Sequence, residues 1–463
     1  MPSSRCCSEF SRAELLRGAS VRAGAGLPAI EAGMPLPAGT GLSRRTLLAR
    51  SAGLGLAVYG ARLLSPRAFE EGIAAAGAAD GQGRVLVSVF LPGGIDSLSL
   101  VAPTGHAAYA KLRPNLRIAP KEGDRLVGDP SLQWHPRATG LRDLHAAGKL
   151  TVLPAIGYDH PDQSHFTSRH FWEVGQLDAS LRVGWMGRYL DRYGSRDNPL
   201  QGLSLEDTLA PALAPSEVPV AAVGAPEGFD LLTHHVWDDD VSARMVDVFD
   251  RLGGLPTRDG QLASVRSAVR MATALRGELG PVRGSDPLAK ARGRYPKTDD
   301  PFPRRLASVA QMVDLGMPLK CVCVQANGEY DTHAGQAATL PGNIALLSGS
   351  LAAFQADLDA RGIADRVIVH VWSEFGRRAQ ENGNGTDHGA AGVSLIMGSR
   401  AAGGVVGEFG GLASSQLDGD GNLRHTTDFR AVYKTLVEGW LGGDSAAVLP
   451  EAARFATLPL LKS

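Results

Sequence analysis

Five near-continuous apolar runs of strand length punctuate this chain, and they constrain its fold more than any other feature. They are RVLVSVFLPGGID (84–96), KLTVLPAIGYDH (149–160), PLKCVCVQANGEYD (318–331), DRVIVHVWSEFGRR (365–378) and GVSLIMGS (392–399). Apolar runs without alternation are the mark of strands buried on both faces. Helical patterns lie between them. ATGLRDLHAAGKL precedes the second run, and PGNIALLSGSLAAFQADLDARGI precedes the fourth, with Gly362 as a stop. TTDFRAVYKTLVEGWLGG follows the fifth, with a Thr-Asp cap and a glycine end. Strands alternating with helices predict an α/β fold with a mainly parallel central sheet. Between roughly 180 and 315 no strand series stands out. WMGRYLDRYG and ASVRSAVRMATALRGEL predict helices there, so this stretch is expected to be a helical insertion in a single domain spanning 80–463.

In an open α/β sheet, ligands bind beyond the carboxyl ends of the strands. The first run ends at Asp96, after Gly93 and Gly94. The second leads into DHPDQSHFTSRHFWEVG, where Ser164 and His165 head a predicted helix. The third reaches Asp331 and His333, and the fourth reaches Glu374 and Arg377. The loop into the fifth carries Asp387 and His388. Taken singly, an acid after a strand is a helix cap and a lone histidine is structural. Their recurrence at one predicted edge points to a metal site instead. Mixed carboxylate and imidazole donors suit Zn, Mn or Fe, and oxygen-rich groups suit Mg or Ca. Such an array can hold one or two divalent ions that clamp a displacement at phosphorus or sulfur. Ser164 is the evident nucleophile, activated by metal rather than by a Ser-His-Asp triad. Arg377 either binds a substrate oxyanion or pairs with a neighbouring carboxylate.

Composition removes several classes. The formal net charge is −1, so no electrostatic case exists for nucleic acid. GxGxxG, GxSxG and HExxH are absent, which sets aside dinucleotide binding, α/β-hydrolases and zincins. DGDGN (418–422) lacks the spacing of a calcium loop and is expected to be a surface turn. The adjacent histidines of HHVWDDD (234–240) are expected to be structural or exposed. Cys321 and Cys323 share one strand face, with Cα atoms about 6.5–7 Å apart, and are expected to be buried thiols. Near the amino end, Ser43-Arg44-Arg45 precedes a short Gly- and Ala-rich apolar stretch interrupted by Arg50 and Arg62. Paired arginines before a modest apolar region resemble a twin-arginine export signal. IAAAGAAD (73–80) is the expected cleavage region and Met34 an alternative start. Residues 1–79 would then be a leader. The expected mature protein is periplasmic or secreted, its export partner is the twin-arginine machinery, and it has no stable membrane span.

LPGGIDSLSLVAP, HPDQSHFTSRHFWEVG, GEYDTHAGQ, SEFGRRAQENGNGTDHG and TTDFRAVYKTLVEGWLG follow one another in order. With them the chain resembles the twin-arginine-exported DUF1501 proteins, which are similar to the alkaline phosphatase/sulfatase superfamily. The resemblance implies an alkaline-phosphatase-like three-layer sandwich. It implies Asp96 as a first-strand metal ligand, Ser164 as nucleophile, and Asp331 with His333 as a ligand pair. Glu374 would serve a second ion and His388 would complete the first. Phe375 stands where the superfamily has a histidine; either His165 would compensate, or that site would hold Mg or Ca, or it would be empty. No Cys/Ser-x-Pro-x-Arg pattern surrounds Ser164, which sets aside a formylglycine mechanism. The implied activity is hydrolysis of an anionic phosphate or sulfate ester. The alternative is a non-enzymatic exported binding protein with a degenerate metal site.

Overall fold

The computed structural model describes residues 58–59, 83–231, 238–326 and 328–462. The twin-arginine motif, the cleavage stretch, and His234 and His235 lie outside these residues. The strands used below are β1 (Val85–Phe90), β2 (Leu150–Gly157), β3 (Gly202–Ser204), β4 (Val220–Ala222), β5 (Cys321–Gln325), β6 (Val367–Trp372) and β7 (Gly392–Met397). The helices are α1 (Thr139–Ala146), α2 (His165–Val174), α3 (Trp185–Tyr193), α4 (Asp239–Gly253), α5 (Gly260–Glu278), α6 (Gln336–Arg361) and α7 (Phe429–Thr435). The fold is mixed α/β with a mainly parallel central sheet.

The chain divides into two compact units. One is built from Asp178–Lys290 and Gln311–Cys323. In it β3 runs parallel to both β4 and the start of β5, with Leu203 opposite Ala221 and Val322. Helices α3, α4 and α5 belong to the same unit. The stretch 180–315 is thus not purely helical. Its two strands, GLS and VAA, are three residues each, too short to leave a period in the sequence. Cys321 and Cys323 are free and buried, and burial pushes the Cys321 thiol up to about 12.

The other unit comprises Arg84–Leu177, Ala291–Ala310 and Val324–Ser463. Strand β1 is parallel to β6 over its full length, from Val85 opposite Val367 to Phe90 opposite Trp372. Strand β7 is antiparallel to β6 and to β2. Every residue of β1, β2, β6 and β7 is buried, which is why these runs lack alternation. Pro154 cannot donate to a ladder, and the β2–β7 register slips there, between the pairs Leu153–Ser394 and Ile156–Gly392. Helix α2 is anchored by Trp172, whose ring stacks on Trp372 of β6 and on Phe429 of α7. This packing fixes the helix whose first residue is His165.

Helix α6 begins at Gln336, five residues before Pro341, where the sequence suggests its start. As the sixth residue of the helix, Pro341 forgoes the i→i−4 hydrogen bond to the Ala337 carbonyl and crowds it. With a mean hydropathy of 1.3 over 18 residues, α6 is long and apolar enough to cross a membrane. Leu340, Ile344, Leu347, Leu351, Phe354 and Leu358 are buried at helical spacing, and the helix packs against α1.

Candidate metal centre

The carboxyl ends of β1, β2 and β6, and the loop after β5, lie at one sheet edge. Strand β7 is antiparallel, so the loop preceding it arrives there too. Asp331, His333, His165, His388, Glu374 and Arg377 come together at this edge.

Asp331 is the hub. Its Oδ2 lies 3.4 Å from His165 Nε2, and its Oδ1 lies 3.3 Å from His388 Nε2 and 3.1 Å from His333 Nε2. It is also ion-paired with Arg377. Burial alone would raise the Asp331 pKa. Wherever Nε2 carries a proton, hydrogen bonds from His165, His333 and His388 oppose this, and so does the charge of Arg377 in every case; together they hold the carboxyl far below its usual range.

Each imidazole is held from behind by an oxygen. His165 Nδ1 is 2.9 Å from Glu374 Oε1, His388 Nδ1 is 2.8 Å from the Gln163 carbonyl, and His333 Nδ1 is 3.1 Å from Asp387 Oδ1. A carbonyl or an ionised carboxylate only accepts, so each Nδ1 must carry the proton. In the neutral ring Nε2 then presents a lone pair, and all three Nε2 atoms face Asp331. The donor atoms of His165, Asp331 and His388 lie within 4.8 Å of one another. The His165 and His388 nitrogens and the Asp331 carboxylate, each ring oriented by an oxygen acceptor, form a donor set compatible with a metal ion, and His333 Nε2 lies against the same carboxylate.

Glu374 is fully buried, and its carboxylate accepts four hydrogen bonds. Oε1 takes Gly93 N–H at 2.9 Å and His165 Nδ1–H; Oε2 takes Gly94 N–H at 3.1 Å and Ser373 Oγ–H at 3.0 Å. Its role in this geometry is to orient His165 rather than to offer a second ion an oxygen. Gly93 has φ +106°, and a Cβ there would lie 2.6 Å from Asp331 N, so glycine is required where the two loops touch. Phe375 packs against the rings of His165 and His388, with centroids 4.9 and 4.7 Å away.

The structure moves Asp96 out of the expected site, selects one of the two roles expected of Arg377, and places Ser164 at its helix head. Asp96 is not in the cluster: both its oxygens are taken by Arg113, at 2.6 and 3.0 Å, and Ser99 and Gln336 also donate to it. The first-strand acid thus closes a fully buried ion pair instead of facing an ion. Arg377 is not free to take an oxyanion. It is fully buried and donates to the carbonyls of Gly94, Thr386 and Gly93 and to Asp331. Ser164 caps α2, its Oγ accepting from Phe166 N at 3.2 Å and Thr167 N at 3.5 Å. It stands between Gln163 and His165, both part of the cluster. Nothing in the spacing of the sequence pointed to Arg113 or to the Gln163 carbonyl. DGDGN forms the expected turn, with Asp418 Oδ1 accepting from Asp420 N and Asn422 N.

A family model described as "Protein of unknown function (DUF1501)" matches residues 173–449, more than half of the chain. The chain belongs to the DUF1501 family. Asp331, His333, Glu374, Arg377 and His388 fall within the matched stretch of this DUF1501 protein, and His165 precedes it. It is similar to the solved structure titled "Crystal structure of Ps i-CgsB", with 11% sequence identity and a TM-score of 0.35. That likeness covers 82% of this chain and 78% of the other. No curated protein matches it.

Proposed function

We propose that this DUF1501 protein is an exported, metal-dependent hydrolase of phosphate or sulfate esters on an alkaline-phosphatase-like fold. The observation that carries the proposal is the convergence of three Nε2 atoms, each ring fixed at Nδ1, on Asp331. His165, Asp331 and His388 would hold one divalent ion, with His333 from the more open side. A bound ion would polarise the ester and favour ionisation of a nearby hydroxyl. Glu374 and Asp96, the candidates for a second ion, spend their oxygens on protein donors, which supports one ion rather than two. Ser164 Oγ accepts two backbone N–H groups at the start of a ten-residue helix. Those bonds and the helix field favour its alkoxide, and its own proton is still available to leave. Asp331 stays ionised through its ion pair with Arg377, so it is ready to ligate without losing a proton first.

A second possibility is a binding protein that holds the ion without turnover. It is favoured by Arg377, whose guanidinium has protein partners throughout and none to spare for a transition state. Elemental analysis of purified mature protein tests the first step, with about one divalent ion per chain expected. Assays on 4-nitrophenyl phosphate, bis(4-nitrophenyl) phosphate and 4-nitrophenyl sulfate test the second. Turnover that is lost in Ser164→Ala supports the hydrolase. A bound ion with no turnover of any ester supports the binding protein, and protein that takes up no Zn, Mn, Mg or Ca removes both.

A further inference from the structure

Beside the metal centre is a cavity of about 520 Å³, within the ~300–1,000 Å³ range of small-molecule sites. Two chain segments serve both places. Tyr158, Asp159, His160 and Pro161 line the cavity, and Gln163 and His165 follow them into the metal centre. Ala390 lines the cavity two residues after His388, so their Cα atoms are at most about 7 Å apart. The cavity and the metal centre thus share the stretches 158–165 and 388–391.

The polar groups of the lining are of both kinds. Asp418 is occupied by its own turn. Asp159 is largely exposed, and its Oδ1 lies 3.7 Å from His425 Nε2. That is too long for a hydrogen bond but a span one hydroxyl can bridge, donating to the carboxylate and accepting from the ring. Arg424 is fixed by Nε donating to the Leu417 carbonyl at 2.9 Å, which orients the rest of its fork. His160 is held at φ +56°, a conformation few non-glycine residues adopt. Asp159 and Asp418 against Arg424 leave the lining one formal negative charge in excess, and a cation would meet Arg424. An anion would meet Asp159, and an alkyl chain would bury Arg424 against nothing polar. Hydroxyl groups, which donate and accept, satisfy all four residues, while Ala390, Ala391 and Leu423 face the apolar C–H side.

We propose that this cavity binds a neutral polyhydroxylated group of the sugar type, which presents its ester to the metal centre. Only the role given to the ester rests on the hydrolase proposal; the sugar site does not. The test is binding of the purified full chain to a printed array of neutral, sulfated and phosphorylated glycans, followed by calorimetry with the best neutral glycan. Binding to neutral glycans is expected. Asp159→Ala and Arg424→Met should each weaken it by about tenfold or more, the effect of losing one or two ligand hydrogen bonds. Both residues are exposed, and melting curves confirm that the variants fold. No glycan binding, binding of charged glycans alone, or variants that bind as the parent does, each overturns the proposal. Glycan binding with no ester turnover leaves this site standing and removes the hydrolase. Ester turnover without glycan binding does the reverse.

Discussion

Replacing Glu374 by glutamine tests the orientation of His165 directly. The carboxylate receives Gly93 N–H, Gly94 N–H, Ser373 O–H and His165 Nδ1–H on two oxygens, with no exposed surface. A carboxamide keeps one of those oxygens and puts an NH₂ in place of the other. If the NH₂ faces His165, the ring loses its acceptor. Its proton then moves to Nε2, the atom that should ligate. If the NH₂ faces Gly94, two buried donors oppose each other at a cost of about 1–3 kcal/mol. The ring is retained either way, so the loss is one of orientation. Comparable partners of metal-bound histidines are worth about 10–100-fold in affinity. Glu374→Gln should therefore bind Zn²⁺ about 10–100-fold more weakly in competition with a chromogenic chelator, and its urea midpoint should fall. A folded Glu374→Gln protein with zinc affinity within about twofold of the parent would refute the orientation argument, because His165 would not then depend on Glu374 for its tautomer.

Arg377→Met should destabilise the metal-free protein by about 3–5 kcal/mol, since Asp331 would keep its charge without its buried partner. Added Zn²⁺ should recover part of that loss in denaturant titrations, and an equal loss with and without metal would count against ligation by Asp331. Gly93→Ala forces a Cβ against the Asp331 backbone at φ +106°, so a stability loss of about 1–3 kcal/mol is expected alongside weaker zinc binding. A melting temperature unchanged from the parent would show that the loops can part. For Asp96, burial raises the carboxyl, but the charge and hydrogen bonds of Arg113, with Ser99 and Gln336, outweigh it and lower it. A depressed folded pKa means the unfolded chain binds more protons, so the stabilisation is complete above about pH 4 and is lost as pH falls below it. Asp96→Asn should be less stable at neutral pH and show a flatter acid limb in melting temperature between about pH 4 and pH 2; parallel acid limbs would contradict this.

The long strands were legible because both faces are buried, which turns VLVSVF and VIVHVW into unbroken apolar runs. The caps of α2 and α7 were legible because Ser164 and Asp428 are the side chains that satisfy free N–H groups at helix starts. Strands β3 and β4 were not, since they owe their place to parallel neighbours rather than to a local pattern. At the site, the donors could be found by their recurrence at strand ends, but not their employment. Arg113 follows Asp96 by 17 residues, and Glu374 meets the Gly93 N–H from 281 residues away. An acid beside a strand end looks the same in a sequence whether it awaits a cation or already holds a guanidinium. The carbonyl of Gln163 behind His388 has no sequence signature, because every residue has one.

What remains is why the lone pairs of His165 and His388 should face one carboxylate, that of His333 lying also 3.4 Å from Arg377 Nη1. Acceptor facing acceptor is repulsive, so something positive belongs between them. Protons on the rings would be one answer. The rings of His165 and His388 are buried and their centroids are 4.3 Å apart. Two unit charges at that separation repel by about 4 kcal/mol at an effective dielectric of 20. Arg377 already supplies Asp331 with a permanent positive partner, so further protons would add charge where one carboxylate is available to balance it. A single shared cation would remove the difficulty, and His165, Asp331 and His388 are the residues that would hold it. The fixed Nδ1 protons point the same way. Glu374, Gln163 and Asp387 hold rings in the tautomer a metal requires, an arrangement that serves ligation better than a cluster of charged histidines.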